Sequence, residues 1–482
     1  MGTENGTAKN LARKSWTGQR VTTLGLSRSG CAVARYVATR GGDVFLSETS
    51  PASPQNETLR QELQNLGVSL EMGGHSKQCF THADLVVVSP GIPPSNEVIE
   101  QLRMSGKTVI SEVEFAYREA SDVPIVGITG TNGKSTTTTL VSWILSQAGH
   151  SAPACGNIGL PITDVINQQQ PDYLVAELSS FQLEFSPTLK AKVAIFTNFK
   201  PDHIDWHGSI EAYQEAKLKL FTGVQSPEWA VVLADDPVSQ LIAARTQGKV
   251  LWFSRDQHLV ENYANKAYLD DSQQVVIHLE GQAPVSLFSV NALQIIGDHN
   301  YENVLGSVCA TYVLGVEPDT ISQACLQFEG LEHRLERVDA IGPRNVLFYN
   351  DSKATNTDAA ISALRAFKSN KVILIAGGYD KMTPLDDFVT AVQANARSVI
   401  LIGAAKERFA QAFEAAGYHA VEFAEDLDAA IAKAYHLSAG EPVLFSPACS
   451  SFDMFKNFEE RGKAFKASVA ALKAKTENPL RS

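Results

Sequence analysis

The chain is poor in cysteine and makes no patterned use of it. Its six cysteines (Cys31, Cys79, Cys155, Cys309, Cys325 and Cys449) are scattered, with no C-x-x-C pair. That spacing gives neither a zinc motif nor a disulfide framework, and it fits a reducing cytoplasm. Positive charge is also short, with 41 Lys and Arg against 53 Asp and Glu and a formal net charge of −12. General binders of nucleic acid or membrane surfaces need clustered cations, so neither class is expected. No run reaches the roughly 18 apolar residues of a membrane span. Residues 1–20 lack the apolar centre of a signal peptide, and Gly6 stands where a myristoylation signal wants Ser or Thr; this stretch is expected to be a flexible tail. Repeats at solenoid periods are missing too.

What is present is the make-up of an ordinary globular protein, 44% hydrophobic and 20% charged over 482 residues. That length suits about three domains. From residue 21 to 120, short apolar runs (VTTLGL, VFLSE, DLVVVSPG) alternate with helical patterns, the first from about Ser29. The rhythm predicts a doubly wound α/β domain on a parallel sheet. Its first turn, Gly25-Leu26-Ser27-Arg28-Ser29-Gly30, has the dinucleotide pattern G-x-G-x-x-G except for Ser27 at the middle glycine. Glu48, ending the next strand, is placed to meet a ribose hydroxyl, though a plain strand-to-helix turn explains the pattern equally well. A second α/β unit contains YLVAELSS and VAIFTNF. Residues 250–290 read as shorter, more antiparallel strands. Beyond Gly330, NVLFYND, KVILIAGG, SVILIGAA and PVLFSPAC form a third unit, and the terminal KAKTENPLRS is expected to fray.

The strongest chemical signal is VGITGTNGKSTTTTLVSW, residues 126–143. An apolar strand, a glycine-rich turn and a helix point backbone amides and a helix N-terminus at an anion. Lys134 adds charge at the outer phosphates, and the hydroxyl of Ser135 or Thr136 is a magnesium ligand in such loops. Ile128 stands where the usual G-x-x-x-x-G-K-[ST] pattern has glycine, so the loop is a variant.

Other candidates follow strand ends, where ligands gather in parallel sheets. Glu177 closes an apolar strand, where a carboxylate needs a partner; magnesium on nucleotide phosphates would serve, as would the amides of a following helix. His203 lies in NFKPDHIDWHGS beside Asp202, Asp205 and His207, in a turn equally suited to an ordinary capped loop. Lys217 and Lys219 sit on an amphipathic pattern and read as solvated lysines of a helix face. Asn300 and Asn303 in GDHNYEN suit capping or a purine. Farther on lie His333-Arg334, then Asp351, Lys353 and Thr355, then Lys381, and finally Ser451, Phe452 and Phe458. Their common place after strands favours a small anionic ligand.

Assembled, these segments resemble the Mur ligase family of ATP-dependent amide-forming enzymes. The resemblance rests on GTNGKST, AELSSFQLE, GDHNYEN, EHR and NDSKATN, in the family's order across most of the chain. NDSKATN and SPACSSFDMFKNFEERG look like the member that adds D-glutamate to UDP-N-acetylmuramoyl-L-alanine, and the D-N-P-R segment that marks the diaminopimelate or lysine adder is absent. Folylpolyglutamate synthases share the ATP loop but carry it near the N-terminus.

The resemblance implies an α/β fold in three domains: a Rossmann-like UDP-sugar domain (21–120), a central P-loop-type ATPase on a mostly parallel sheet (121–330), and a Rossmann-like domain (331–482) that binds the amino acid and closes over ATP. It implies two magnesium ions, with manganese as a substitute, held by Ser135, Glu177, His203 and Lys217, the last carbamylated. It assigns ATP to Gly130, Thr131, Asn132, Gly133, Lys134, Ser135, Thr136, Asn300, Asn303, Arg334 and Asp351. The UDP precursor falls to Arg28, Ser29, Glu48, Thr49, Ser89, Asn157 and His203, and D-glutamate to Lys353, Thr355, Lys381, Ser451, Phe452 and Phe458. Lys134, Glu177, His203 and Lys217 are the catalytic set, and a cytoplasmic monomer acting on small molecules is expected. A dehydrogenase reading leaves Gly133-Lys134-Ser135 unexplained, and a non-catalytic nucleotide binder leaves the catalytic set unexplained.

Overall fold

The structure, a computed structural model, describes residues 14–367 and 371–477. Most of the expected tail (1–13) and the end of the expected frayed segment (478–482) lie outside the described residues. Residues 14–20 depart from the flexible-tail expectation. Trp16 is buried, its ring centroid 5.5 Å from that of Phe115, and its Nε1 donates to Glu119 at 3.1 Å. An indole carries too much apolar area to leave in water when a pocket and an acceptor are at hand.

Two compact units divide the chain. The first comprises Met1–Leu287 and Asn303–Ser322, the second Phe288–Glu302 and Gln323–Ser482. Within the first, β1 (Arg20–Leu24), β2 (Asp43–Glu48), β3 (Ser69–Met72), β4 (Leu85–Val88) and β5 (Thr108–Ser111) form a sheet in the order β3-β2-β1-β4-β5. Every pairing in it is parallel. Helices cover its faces, so inner strands such as β1 and β4 bury successive residues, and they read as continuous apolar runs rather than alternating ones.

The first unit holds a second sheet. Its strands are β6 (Ile125–Thr129), β7 (Ala154–Gly156), β8 (Leu174–Glu177), β9 (Val193–Phe196), β10 (Trp229–Leu233), β11 (Lys249–Ser254), β12 (Lys266–Leu269), β13 (Gln274–His278) and β14 (Val285–Ser289), ordered β14-β13-β12-β11-β10-β9-β6-β8-β7. β6 lies between β8 and β9, all its residues buried. The chain leaves β6 toward one edge and later returns on its other side, which makes the carboxyl end of β6 a topological switch point and opens a crevice there. The antiparallel expectation for 250–290 holds in part: β12–β13 is antiparallel, whereas β11 pairs parallel with both β10 and β12. A short apolar run marks a buried strand but carries no information about direction.

The second unit is built on β15 (Glu336–Ile341), β16 (Val346–Asn350), β17 (Val372–Gly377), β18 (Ala396–Ile402), β19 (Val421–Phe423) and β20 (Val443–Phe445), ordered β15-β16-β20-β17-β18-β19. Its core has two sides, one around Leu374, Phe388, Phe409 and Phe413, the other around Phe348, Phe445 and Phe465. No helix among the described residues is long and apolar enough to cross a membrane.

Candidate active site

The loop after β6 is fixed by contacts distant in sequence. Thr131 N donates to Asn198 O at 2.8 Å, Asn132 N to Asn198 Oδ1 at 2.9 Å, and Thr197 Oγ1 to Asn132 O at 2.6 Å, so the end of β9 clamps the turn. Glycine is required at both ends. Gly130 has φ +140° and Gly133 φ +83°; a Cβ there would sit 2.1 Å from Thr197 Oγ1 or 2.2 Å from Asn303 Oδ1. The helix Lys134–Gln147 follows, with Ser135 half-buried and Thr136 buried at its start. Asn303 accepts from Thr137 Oγ1 at 3.3 Å, supporting the loop from beneath.

Two lysines converge on one carbonyl. Lys134 Nζ donates to Gly130 O at 3.0 Å and Thr131 O at 2.8 Å; Lys217 Nζ, from the helix Ile210–Leu218, donates to Gly130 O at 2.6 Å. Lys217 is 2% exposed and lies 4.5 Å from the centre of the Tyr213 ring, which overturns its reading as a solvated lysine. Burial, reinforced by the charge of Lys134, holds its ammonium well below the ordinary lysine pKa. Lys219 keeps the surface role, paired with Glu184 at 2.8 Å.

Glu177 is buried at the end of β8. Its Oε1 accepts from Asn157 Nδ2 at 2.7 Å, while Oε2 is buried with no hydrogen-bond partner among the described residues. An orphaned carboxylate oxygen is costly, and a cation is the partner that removes the cost. Asn157 is set by its own amide, which donates to Glu177 O at 2.9 Å. His203, at φ +51°, is half-exposed against the rings of Phe181 and Tyr213, at 4.9 and 6.1 Å. His207 binds Ser180 Oγ through Nε2 at 2.9 Å; burial and the charges of Lys217 and His203 push its pKa down to about 4.

In the first sheet, Glu48 turns back on the backbone. Its Oε2 accepts from Leu26 N and its Oε1 from Ser50 N, both at 2.7 Å, and Thr49 Oγ1 adds a bond at 3.2 Å. Burial opposes the charge, yet the amides of Ser50 and Leu26 outweigh it and keep the carboxyl below its usual range. Ser27 is no misplaced glycine: at φ −89° it caps the helix Arg28–Ala38 by accepting from Gly30 N, and its Oγ lies 2.7 Å from that of Ser89. Arg28 reaches the carbonyl of Gly159, and Ser29 is half-buried beside it.

In the second unit Asp351 is buried, accepting from Ser446 Oγ at 2.7 Å and Leu335 N at 3.2 Å, and burial pushes its carboxyl up to about 7. Lys353 Nζ stands 5.7 Å from the centre of the Phe458 ring, and Thr355 and Arg334 are half-buried. A bridge between Tyr379 and Ser450 brings the loop of exposed Lys381 beside buried Ser451 and exposed Phe452. Asn300 Nδ2 donates to Ile296 O at 2.7 Å. Sequence reasoning missed Arg461. Fully buried, it donates from Nε to Ser352 Oγ (3.0 Å), from one terminal nitrogen to Ser352 O (2.8 Å) and from the other to Cys449 O (3.0 Å). Thr197, Asn198 and Tyr213 were also missed; TNF at the end of a buried strand was the available signal for the first two.

Three family models match: the Mur ligase MurD-like N-terminal domain over residues 19–111, the Mur ligase middle domain over 128–311, and the Mur ligase glutamate ligase domain over 333–449. The UDP-N-acetylmuramoylalanine–D-glutamate ligase of Thermoanaerobacter pseudethanolicus is 38% identical over 460 residues, covering 95% of this chain and 99% of that protein. The ligase of the same name from Geobacillus kaustophilus is 37% identical over 458 residues, 94% of this chain and 98% of that one. Among solved structures, the UDP-N-acetylmuramate-alanine ligase of Thermotoga maritima superposes with a TM-score of 0.57 at 20% identity, covering 94% of this chain and 100% of its own, a likeness of fold.

Proposed function

The chain belongs to the Mur ligase family, and from that premise we propose that it joins D-glutamate to UDP-N-acetylmuramoyl-L-alanine at the expense of ATP, in cytoplasmic peptidoglycan precursor synthesis. The observation that carries this reading is similarity to ligases of that name along 99% of their length, through all three family domains.

The chemical problem is that a carboxylate is a poor electrophile with a poor leaving group. The γ-phosphoryl of ATP passes to the carboxylate of the L-alanyl precursor, giving ADP and an acyl phosphate. The D-glutamate amine attacks that carbonyl, and the tetrahedral intermediate collapses to the amide and free phosphate. Loop amides from Gly130 to Thr136 cradle the phosphates, and Lys134 exchanges its carbonyl partners for phosphate oxygens. Asn300, Asn303, Arg334 and Asp351 take nucleotide contacts. Arg28, Ser29, Glu48, Thr49, Ser89, Asn157 and His203 are assigned to the UDP precursor. Lys353, Thr355, Lys381, Ser451, Phe452 and Phe458 are assigned to D-glutamate.

The orphaned Glu177 oxygen fits a divalent cation. Ser135, Glu177, His203 and Lys217 would hold two magnesium ions, or manganese in their place, which when bound neutralise charge on the phosphoryl oxygens. An ammonium cannot be a ligand. The neutral amine favoured by the burial of Lys217 adds carbon dioxide, forming an N–C bond and losing a proton to solvent, and the resulting carbamate supplies anionic oxygen.

The test is phosphate release from ATP with UDP-N-acetylmuramoyl-L-alanine and one amino acid at a time: D-glutamate, L-glutamate, L-lysine or meso-diaminopimelate. Release that requires D-glutamate and yields the amide is expected. Turnover with another amino acid would keep the family and overturn the assignment of the second unit's residues.

A further inference from the structure

A second cluster of ligand-type side chains lies in the first sheet, away from the phosphate loop. Glu71 on β3, His75 in the loop after it and Cys79 in the short helix Gln78–Thr81 bring a carboxylate oxygen, an imidazole nitrogen and a sulfur within 4.8 Å of one another. Cys79 Sγ is 3.4 Å from Glu71 Oε2 and 3.9 Å from His75 Nδ1. A tetrahedral zinc ion with metal–sulfur bonds of about 2.3 Å and metal–oxygen or metal–nitrogen bonds of about 2.0–2.1 Å separates sulfur from its neighbours by roughly 3.5 Å. The two observed edges bracket that length. Ser47 Oγ on β2 lies 2.7 Å from both Glu71 Oε2 and His75 Nδ1.

We propose that Glu71, His75 and Cys79 form a binding site for a thiophilic divalent cation, zinc in the first place. The cysteine spacing alone indicates no zinc motif, and the proposal rests on the folded arrangement instead. The Glu-x3-His-x3-Cys spacing matches no short zinc motif, because strand, loop and helix each supply one ligand. On binding, the Cys79 thiol gives its proton to solvent and the thiolate ligates the metal. The ion ties β3 to the loop Gly73–Ser76, where Gly73 and Gly74 have φ of +86° and +156°. Both glycine amides donate to Glu48 O, at 2.9 and 3.2 Å, so the clip adjoins the Glu48-Thr49 corner.

Without an ion the same atoms form a hydrogen-bonded chain from His75 through Ser47 and Glu71 to Cys79, and the experiment separates the two arrangements. Cobalt(II) is added to the metal-free full-length protein, and the thiolate-to-cobalt charge-transfer absorption is recorded, a signal that an oxygen-rich magnesium site does not give. One equivalent is expected to saturate the band, zinc to displace cobalt, and Cys79→Ala to abolish the signal. His75→Ala is expected to weaken binding at least tenfold, with thermal unfolding run to establish that each variant folds. Absence of the band in the unaltered protein, or its persistence in Cys79→Ala, would overturn the proposal.

Discussion

Lys217 shows how one residue acquires its chemistry from burial. On an exposed helix face the same side chain would be a hydrated cation; beneath Tyr213 and beside Lys134 it is held toward the neutral amine. Truncation in Lys217→Ala is expected to lower kcat by roughly 10²-fold or more, and formate or acetate to restore part of it by supplying the missing oxygen ligand. Near-normal activity in Lys217→Ala would sink the carbamate assignment. Arg461 is the mirror case, a permanent cation spent on three hydrogen bonds that join the Asp351-Ser352 turn to the Cys449 turn. Replacing it by Met leaves the carbonyls of Ser352 and Cys449 buried without that donor, while Ser352 Oγ keeps its bond to Phe458 O. Denaturant unfolding of Arg461→Met should show a loss of about 2–4 kcal/mol. The KM for D-glutamate should rise more than that for the UDP precursor, because the loops it ties carry Lys353 and Ser451. Equal effects on both would reduce Arg461 to a purely structural residue.

The helix Glu112–Glu119 packs a carboxylate where water cannot reach it. Glu112 Oε1 accepts from Thr163 N at 2.6 Å, Oε2 is buried without a partner among the described residues, and burial raises the carboxyl from 4.5 to about 7. A raised acid favours the folded state while protonated. Its contribution is full below the unfolded value near 4.5 and is lost as pH rises through about 7. Glu112→Gln keeps the acceptor for Thr163 and removes the charge. Its unfolding free energy should therefore fall less between pH 5.5 and 8, and at pH 8 exceed that of the unaltered protein by up to ~3 kcal/mol. Parallel pH profiles would contradict the argument. At this scale the limits of sequence are physical. The Gly130–Ser135 turn was legible because strand, glycines and helix are contiguous, and Glu177 was legible because a carboxylate ended an apolar run. Nothing within the helix Ile210–Leu218 says that Lys217 meets a carbonyl 87 residues away, while Lys219 stays at the surface. The direction of β11 and the burial of Trp16 were hidden for the same reason, since both are set by what packs against them.

Across the whole molecule, the chain carries its cores in two compact units, and its tryptophans are unevenly shared between them. All five (Trp16, Trp143, Trp206, Trp229 and Trp252) fall in the first unit. Tryptophan emission therefore follows the unfolding of that unit alone, while far-ultraviolet circular dichroism follows both. The residues assigned to the UDP precursor, from Arg28 to His203, also belong to the first unit, so on that proposed assignment the precursor would be a ligand of that unit's folded state. At a free concentration of one hundred times its Kd it should stabilise that state by about 2.7 kcal/mol. The denaturant midpoint read by tryptophan emission should then move upward with precursor concentration. The circular dichroism trace should split, one component moving with the emission and the other, from the sheet β15–β20, staying in place. D-glutamate alone should leave the emission midpoint unmoved, because its assigned residues, from Lys353 to Phe458, are all in the second unit. If the precursor shifted only the component that emission does not report, the nucleotide assignment of Glu48, Thr49 and Ser89 would be wrong. If both components moved together without splitting, the two units would unfold as one cooperative body.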